Sequence, residues 1–166
     1  MEKQINTIKK ILVAIDFSIY SRPTLEYAVE VATAKKARIV ALNIINQTEI
    51  DSVEKAINSK YPDVFSLAKY LPKEMGQREL KMQALIKEVL GEAQLPVEIH
   101  IGHGRPHVEI LKTIDREDID LLVFGPKGRS NLSGFLFGSV AEKLFRHSPV
   151  PVMSLRFVSK SPGVSL

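Results

Sequence analysis

Apolar and polar positions fall in blocks along this chain, and the period inside each block assigns it to strand or helix. Residues 11–15 (ILVAI) form a nearly continuous apolar run stopped by Asp16, the pattern of a strand covered on both faces. Beyond the polar stretch 16–22, Leu25, Ala28, Val29 and Ala32 share one helical face, and Ser21 and Pro23 suit its start. Residues 38–45 are again apolar and rich in β-branched side chains. Strand, helix and strand thus follow in order, which implies a right-handed parallel crossover.

Residues 46–73 carry Pro62 and Pro72 and hold no sustained period, so a variable, partly helical excursion is expected there. From Glu74 the pattern steadies into a long helix with Met82, Leu85, Ile86, Val89 and Ala93 on one face, its last turn weakened by Gly91. Pro96 opens residues 97–101, whose strict alternation reads as a strand near the sheet edge. A turn over 102–106 leads to a helix carrying Ile110, Leu111 and Ile114, ended by the acidic stretch 115–120. Residues 121–124 read as a central strand, 138–147 as a last helix with Ala141, Leu144 and Phe145 inward, and 150–155 as a last strand. Residues 158–166 read as a flexible tail. Five strands alternating with four helical segments predict an α/β fold: an open, five-stranded parallel sheet with helices on both faces, Rossmann-like in its winding.

Composition bounds the chemistry. A chain of 166 residues suits one domain spanning 1–166, and 45% hydrophobic with 25% charged residues is the mix of an ordinary globular protein. With no cysteine, thiolate zinc sites, disulfides and cysteine nucleophiles are excluded. The opening MEKQINTIKK resembles neither a signal peptide nor a membrane span, so a cytoplasmic location is expected. The net charge of +4 comes without a dense basic block, which argues against a nucleic-acid partner.

In open parallel sheets ligands bind beyond the carboxyl ends of strands, which singles out Asp16, Ile45 and Gly125. The segment GPKGRSNLSGFLFGS, residues 125–139, follows a strand and ends where a helix begins. Glycines let a backbone approach a ligand closely, and free amides at a helix start favour an anion. Gly138 and Ser139 are therefore expected to present amides and a hydroxyl to phosphates, with Gly128 and Ser130 opposite and Lys127 and Arg129 adding charge. Any one of these glycines alone would read as a turn, and Ser139 alone as a helix cap. Their combination after a strand favours a phosphate site.

Gly125, Gly128, Gly138 and Ser139 fit the pattern G-x-x-G-x9-G-[ST], and here the chain resembles the ATP-binding branch of the universal stress protein family. ILVAIDFS at 11–18 resembles that family's opening strand, GRP at 104–106 its turn before the third helix, and SVAEKLFRHSPVPVMSLR its C-terminal end. The resemblance covers roughly residues 8–157 and implies the family's fold, related to the adenine nucleotide alpha hydrolases. It also implies ATP as ligand, with magnesium or manganese, and a role as a nucleotide-dependent regulatory module in stress response. By the same resemblance Asp16 lies near the ribose or a phosphate-bound divalent ion, Ile44 contacts adenine through its backbone, and Ala14 packs beside the base. Gly125 approaches the ribose, with Phe124 just inside, while Gly128, Ser130, Gly138, Ser139 and Val140 surround the phosphates. Asp16 also has a plain reading as a helix cap or a salt-bridge partner. Pro126 departs from the family pattern, lacking an amide hydrogen. Homodimerisation through the last strand, residues 150–155, is a further implication.

Other chemistry fares worse. His103 and His107 flank a turn rather than sharing a helix face, and no third ligand stands near them in sequence. Asp115, Glu117, Asp118 and Asp120 lack the glycine and terminal glutamate of a calcium loop and read as a solvated turn. Neither G-x-S-x-G nor G-x-x-x-x-G-K-[ST] occurs. Two functional classes remain: a nucleotide-binding module, and a slow magnesium-dependent ATPase in which Asp16 is the carboxylate nearest the phosphates. A nucleic-acid-associated role is the weaker third.

Overall fold

The computed structural model describes residues 7–127 and 137–155. Its five strands are β1 (Lys10–Ala14), β2 (Arg38–Asn46), β3 (Val97–Gly104), β4 (Leu121–Phe124) and β5 (Val152–Ser154). Its helices are α1 (Ser21–Lys35), α2 (Gln47–Lys60), α3 (Leu67–Leu90), α4 (Pro106–Arg116) and α5 (Ser139–His147). All strand pairs are parallel, in the order β3-β2-β1-β4-β5. The expected five-stranded α/β sheet is present, with β3 at one edge and β5 at the other.

Alternate residues of the central strands feed two cores, as the pleat requires. Ile11, Val13, Ile39, Ala41 and Val123 pack on one face with Leu25 and Ala28 of α1 and Met82 and Ile86 of α3. Leu12, Val40, Leu42, Leu122 and Phe124 pack on the other with Ile110 and Ile114 of α4 and Ala141 and Leu144 of α5. Each fully buried Val, Leu, Ile, Phe or Met side chain among them stabilises the fold by about 1.5–3 kcal/mol.

The excursion 46–73 is more ordered than its sequence suggests. Asn46, the last residue of β2, accepts from the Thr48 amide at 3.2 Å and caps α2 directly. α3 starts at Leu67, seven residues before the expected Glu74, and runs through Pro72. Pro72 and Ala68 are both exposed, so the carbonyl that Pro72 leaves without a donor lies on the wet side of the helix. Among the described residues there are accordingly five helices rather than four. Gly91 stands just beyond α3, not within it: at φ 54° and ψ −116° it turns the chain out of the helix, and Ala93 falls outside.

Smaller departures follow from local bonding. β3 extends to Gly104, because its register with β2 continues to Asn46↔Gly104, and shortens the expected turn to Arg105. The last strand is trimmed to Val152–Ser154. Phe145 does not point inward: it is 44% exposed and meets Phe124 and Phe137 edge-on, each at 5.2 Å between ring centres. The acidic stretch is not merely solvated, since Asp120 accepts from the Lys9 and Lys10 amides at 2.8 and 3.0 Å and Glu117 pairs with Lys10 at 3.1 Å. Expectations for residues 158–166 lie outside the described residues.

Candidate functional site

β1 crosses through α1 to β2 on one side, while β4 lies on its other side, so a crevice opens where the carboxyl ends of β1 and β4 diverge. A cavity of about 580 Å³ occupies it. From the end of β1 come Ala14 and Asp16, and from β2 Ile44. Phe124 and Gly125 enter from the end of β4, and Gly138, Ser139 and Val140 from the start of α5. Eight of the eleven residues singled out in sequence thus line one cavity, with Lys127 beside them. Gly128, Arg129 and Ser130 lie outside the described residues.

Several local devices shape this cavity. The Gly138 amide donates to the Pro126 carbonyl at 2.9 Å, clasping the two ends of the glycine segment. That amide is therefore committed, contrary to the expectation that it faces phosphate. The Glu142 amide takes the Gly138 carbonyl at 3.0 Å, which leaves the amides of Ser139, Val140 and Ala141 as the first-turn donors without an intrahelical acceptor. Pro126 contributes the acceptor of this clasp. A side chain at Gly125 would place its Cβ 3.0 Å from Cβ of Tyr20, so glycine is what lets β4 end against the start of α1.

Asp16 accepts through Oδ1 from the Ser18 amide at 3.0 Å and from the Ser21 hydroxyl at 3.1 Å. Oδ1 thus closes the turn between β1 and α1 without accepting from any amide of the helix, so Asp16 is not the cap of α1, and Oδ2 has no partner among the described residues. A second carboxylate, Glu49 of α2, also lines the cavity, so Asp16 is not alone there. Glu49 is held at 2.7 Å by Arg78, a buried α3 side chain that also donates to Glu74 at 2.8 Å and to Asn43 Oδ1 at 3.1 Å. Burial opposes the charge on Arg78, and the hydrogen bonds to Glu74 and Glu49 outweigh it, so the guanidinium's pKa is raised. Asn43 in turn donates to the Ile15 carbonyl at 2.7 Å. Asn43 and Glu49 escaped sequence reasoning, although an asparagine inside the apolar run 38–45 was a visible signal. Tyr20, Ser21 and Thr24 of the α1 wall escaped it as well.

His103 and His107 do not join in a metal-sized cluster. Among the described residues the cluster of that size is Glu98, His100 and Glu117, whose ligand atoms lie within 4.8 Å of one another. Hydrogen bonds from Lys10 and then Arg116 hold the Glu117 carboxyl below its ordinary range, so this group is already neutralised as an ion-pair network.

Comparison with known proteins agrees with this architecture. The universal stress protein family model matches residues 7–156. Universal stress protein MJ0577 of Methanocaldococcus jannaschii is 28% identical over 153 residues, spanning 89% of this chain and 94% of its own. The solved structure of MJ0577 superposes with a TM-score of 0.73 at 32% identity, covering 92% of this chain and 99% of that one. A universal stress protein in complex with cAMP shares the fold at TM-score 0.66 and 20% identity, covering 90% and 98%. So does one from Archaeoglobus fulgidus in complex with dAMP, at TM-score 0.57 and 16% identity, covering 90% and 99%. A family model spanning nearly the whole chain, together with the same parallel sheet in its relatives, shows that this protein belongs to the universal stress protein family.

Proposed function

We propose that the protein is an adenine-nucleotide-binding module, with ATP as its principal ligand, whose occupancy sets its conformation or choice of partner in a stress response. One observation carries the reading: a single cavity of about 580 Å³ joins an apolar slot to the amino end of α5. The slot, lined by Ala14, Leu42, Ile44 and Ile110, suits a planar base. The amides of Ser139, Val140 and Ala141, with the helix dipole behind them, suit phosphate. The cAMP and dAMP complexes of proteins with this fold point to the same ligand class. A divalent ion, magnesium or manganese, fits beside Asp16, whose Oδ2 is available as a hard oxygen ligand. Such an ion supplies charge neutralisation on the phosphate oxygens.

A slow ATPase is the second reading, favoured by the two carboxylates in the wall. Against it, Asp16 holds the Ser18 amide and the Ser21 hydroxyl through Oδ1, and Glu49 is paired with Arg78. Assay of phosphate release with magnesium separates the two. The module reading expects retained nucleotide without sustained turnover, and sustained release abolished by Asp16→Asn would establish the ATPase instead. Homodimerisation across β5 belongs to the proposal, since that edge strand carries the half-buried Val152 and Met153. Light scattering should give twice the chain mass, and a monomeric mass would refute it. A cytoplasmic location is also proposed. Among the described residues no helix is long and apolar enough to cross a membrane.

A further inference from the structure

Threonines inside helices commonly turn the hydroxyl back to the carbonyl four residues earlier. Two do so here, Thr33 donating to the Val29 carbonyl and Thr113 to the Glu109 carbonyl, both at 2.8 Å. Thr24, in the first turn of α1, does not. The Tyr20 carbonyl, four residues earlier, accepts from the Thr24 amide at 3.0 Å, yet the Thr24 hydroxyl has no hydrogen-bond partner among the described residues. The residue is 0% exposed, so bulk water does not satisfy it either.

Thr24 lines the cavity. Its Oγ1 lies 3.6 Å from the point that a Cβ on Gly125 would occupy, and the Lys127 carbonyl oxygen lies at the same distance from that point. The hydroxyl is thus turned toward the place where β4 gives way to the glycine segment, with glycine keeping the wall thin. A buried hydroxyl without a partner is a standing cost to the ligand-free fold, offset when a binding partner arrives.

We propose that Thr24 Oγ1 is a ligand contact that hydrogen-bonds an oxygen of the ribose–phosphate chain of the bound nucleotide. This rests on the nucleotide-binding reading above and adds a contact residue to it. The sugar–phosphate part is chosen over the base because of what surrounds the hydroxyl. Asp16, Ser21, Gly125 and Lys127 share its side of the cavity, whereas the apolar Leu42, Ile44 and Ile110 come from β2 and α4, across β1. A hydroxyl both donates and accepts, so a ribose hydroxyl or a phosphate oxygen satisfies it.

The test compares wild type with Thr24→Val, which keeps the shape and removes the hydroxyl, and with Thr24→Ser, which keeps the hydroxyl. Ligand-free melting temperature and calorimetric affinity for ATP, adenosine and adenine are the readouts. Thr24→Val should melt at or above the wild-type temperature and bind ATP about fivefold more weakly, the factor that an ordinary neutral hydrogen bond carries. Its affinity for adenine should not change, and Thr24→Ser should bind ATP nearly as wild type does. A matching loss for adenosine assigns the contact to the ribose, and a loss confined to ATP assigns it to a phosphate, either supporting the proposal. Unchanged ATP affinity in Thr24→Val, or a melting temperature several degrees lower with affinity intact, overturns it and returns Thr24 to a structural role. A wild-type protein that binds none of the three overturns the nucleotide reading, and this contact with it. Equal binding of ATP by wild type and Thr24→Val overturns the contact alone.

Discussion

Replacing Arg78 by alanine tests how the α2–α3 excursion is tied to the cavity. Arg78 is 5% exposed and bridges three acceptors, Glu74, Glu49 and Asn43 Oδ1, at 2.8, 2.7 and 3.1 Å. Its removal leaves the Asn43 oxygen, in a residue 1% exposed, without its Arg78 donor, and takes the guanidinium away from the Glu49 and Glu74 carboxylates. Breaking a buried ion pair from one side costs about 3–5 kcal/mol. The side chains of Glu49 and Glu74 keep 34% and 23% of their exposure and can be solvated in part, which sets the expectation at the lower end, about 3 kcal/mol. For a domain of this size that lowers the melting temperature by about 6–12 °C. Urea unfolding followed by circular dichroism gives the free energy directly, and Arg78→Lys should recover only part of it, because an ammonium cannot reproduce the planar fork. ATP affinity should fall as well, since Asn43 and Glu49 both line the cavity. A loss below about 1 kcal/mol, the worth of one ordinary hydrogen bond, would refute the reasoning.

Other expectations follow from single contacts. Asp16→Ala should cost about 1–2 kcal/mol in urea unfolding by removing the acceptor of the Ser18 amide and the Ser21 hydroxyl, whereas Asp16→Asn, which retains the accepting oxygen, should stay near wild-type stability while losing any magnesium dependence of ATP binding. Gly125→Ala brings a methyl to 3.0 Å from Cβ of Tyr20 and should lower stability by about 1 kcal/mol, measured in the same way, and weaken ATP binding. Burial, reinforced by Lys143, Arg105 and His147, holds the His107 pKa below 6.5. Between that lowered value and 6.5 the unfolded chain binds more protons than the folded one, so stability should fall as pH drops through this window, and His107→Gln should flatten the profile of melting temperature against pH.

Much of this architecture was legible in sequence because its signals are periodic and local. The runs at 11–15, 38–45 and 121–124 are apolar on both faces, as only strands roofed by helices on each side need to be. α2 was obscured by treating Pro62 and Pro72 as breakers of one region. Pro62 follows the end of α2, and Pro72 is tolerated where its orphaned carbonyl faces water. The cap at Asn46 and the spacing of Ile50, Val53 and Ile57 were signals of that helix. At the cavity, the residues named from sequence sit at strand ends and at a helix start, where backbone geometry dictates placement. Those missed are of another kind. Thr24, Asn43 and Glu49 act through side chains whose neighbours, Gly125, Arg78 and Ile15, are distant in sequence, and only the assembled sheet brings them together.

The central claim is that an adenine nucleotide places its phosphates at the amino end of α5, and Ser139→Asp tests it most directly. Ser139 is exposed, and a carboxylate in the first turn favours the helix dipole, so the ligand-free variant should melt at or slightly above the wild-type temperature. A carboxylate about 5 Å from a phosphate charge at an effective dielectric of about 20 is repelled by about 3 kcal/mol. Calorimetric titration of nucleotide-stripped protein should therefore show one ATP per chain for wild type and an affinity about a hundredfold weaker for Ser139→Asp. Absence of ATP binding by the wild type, or equal affinity in the two proteins, would contradict the account.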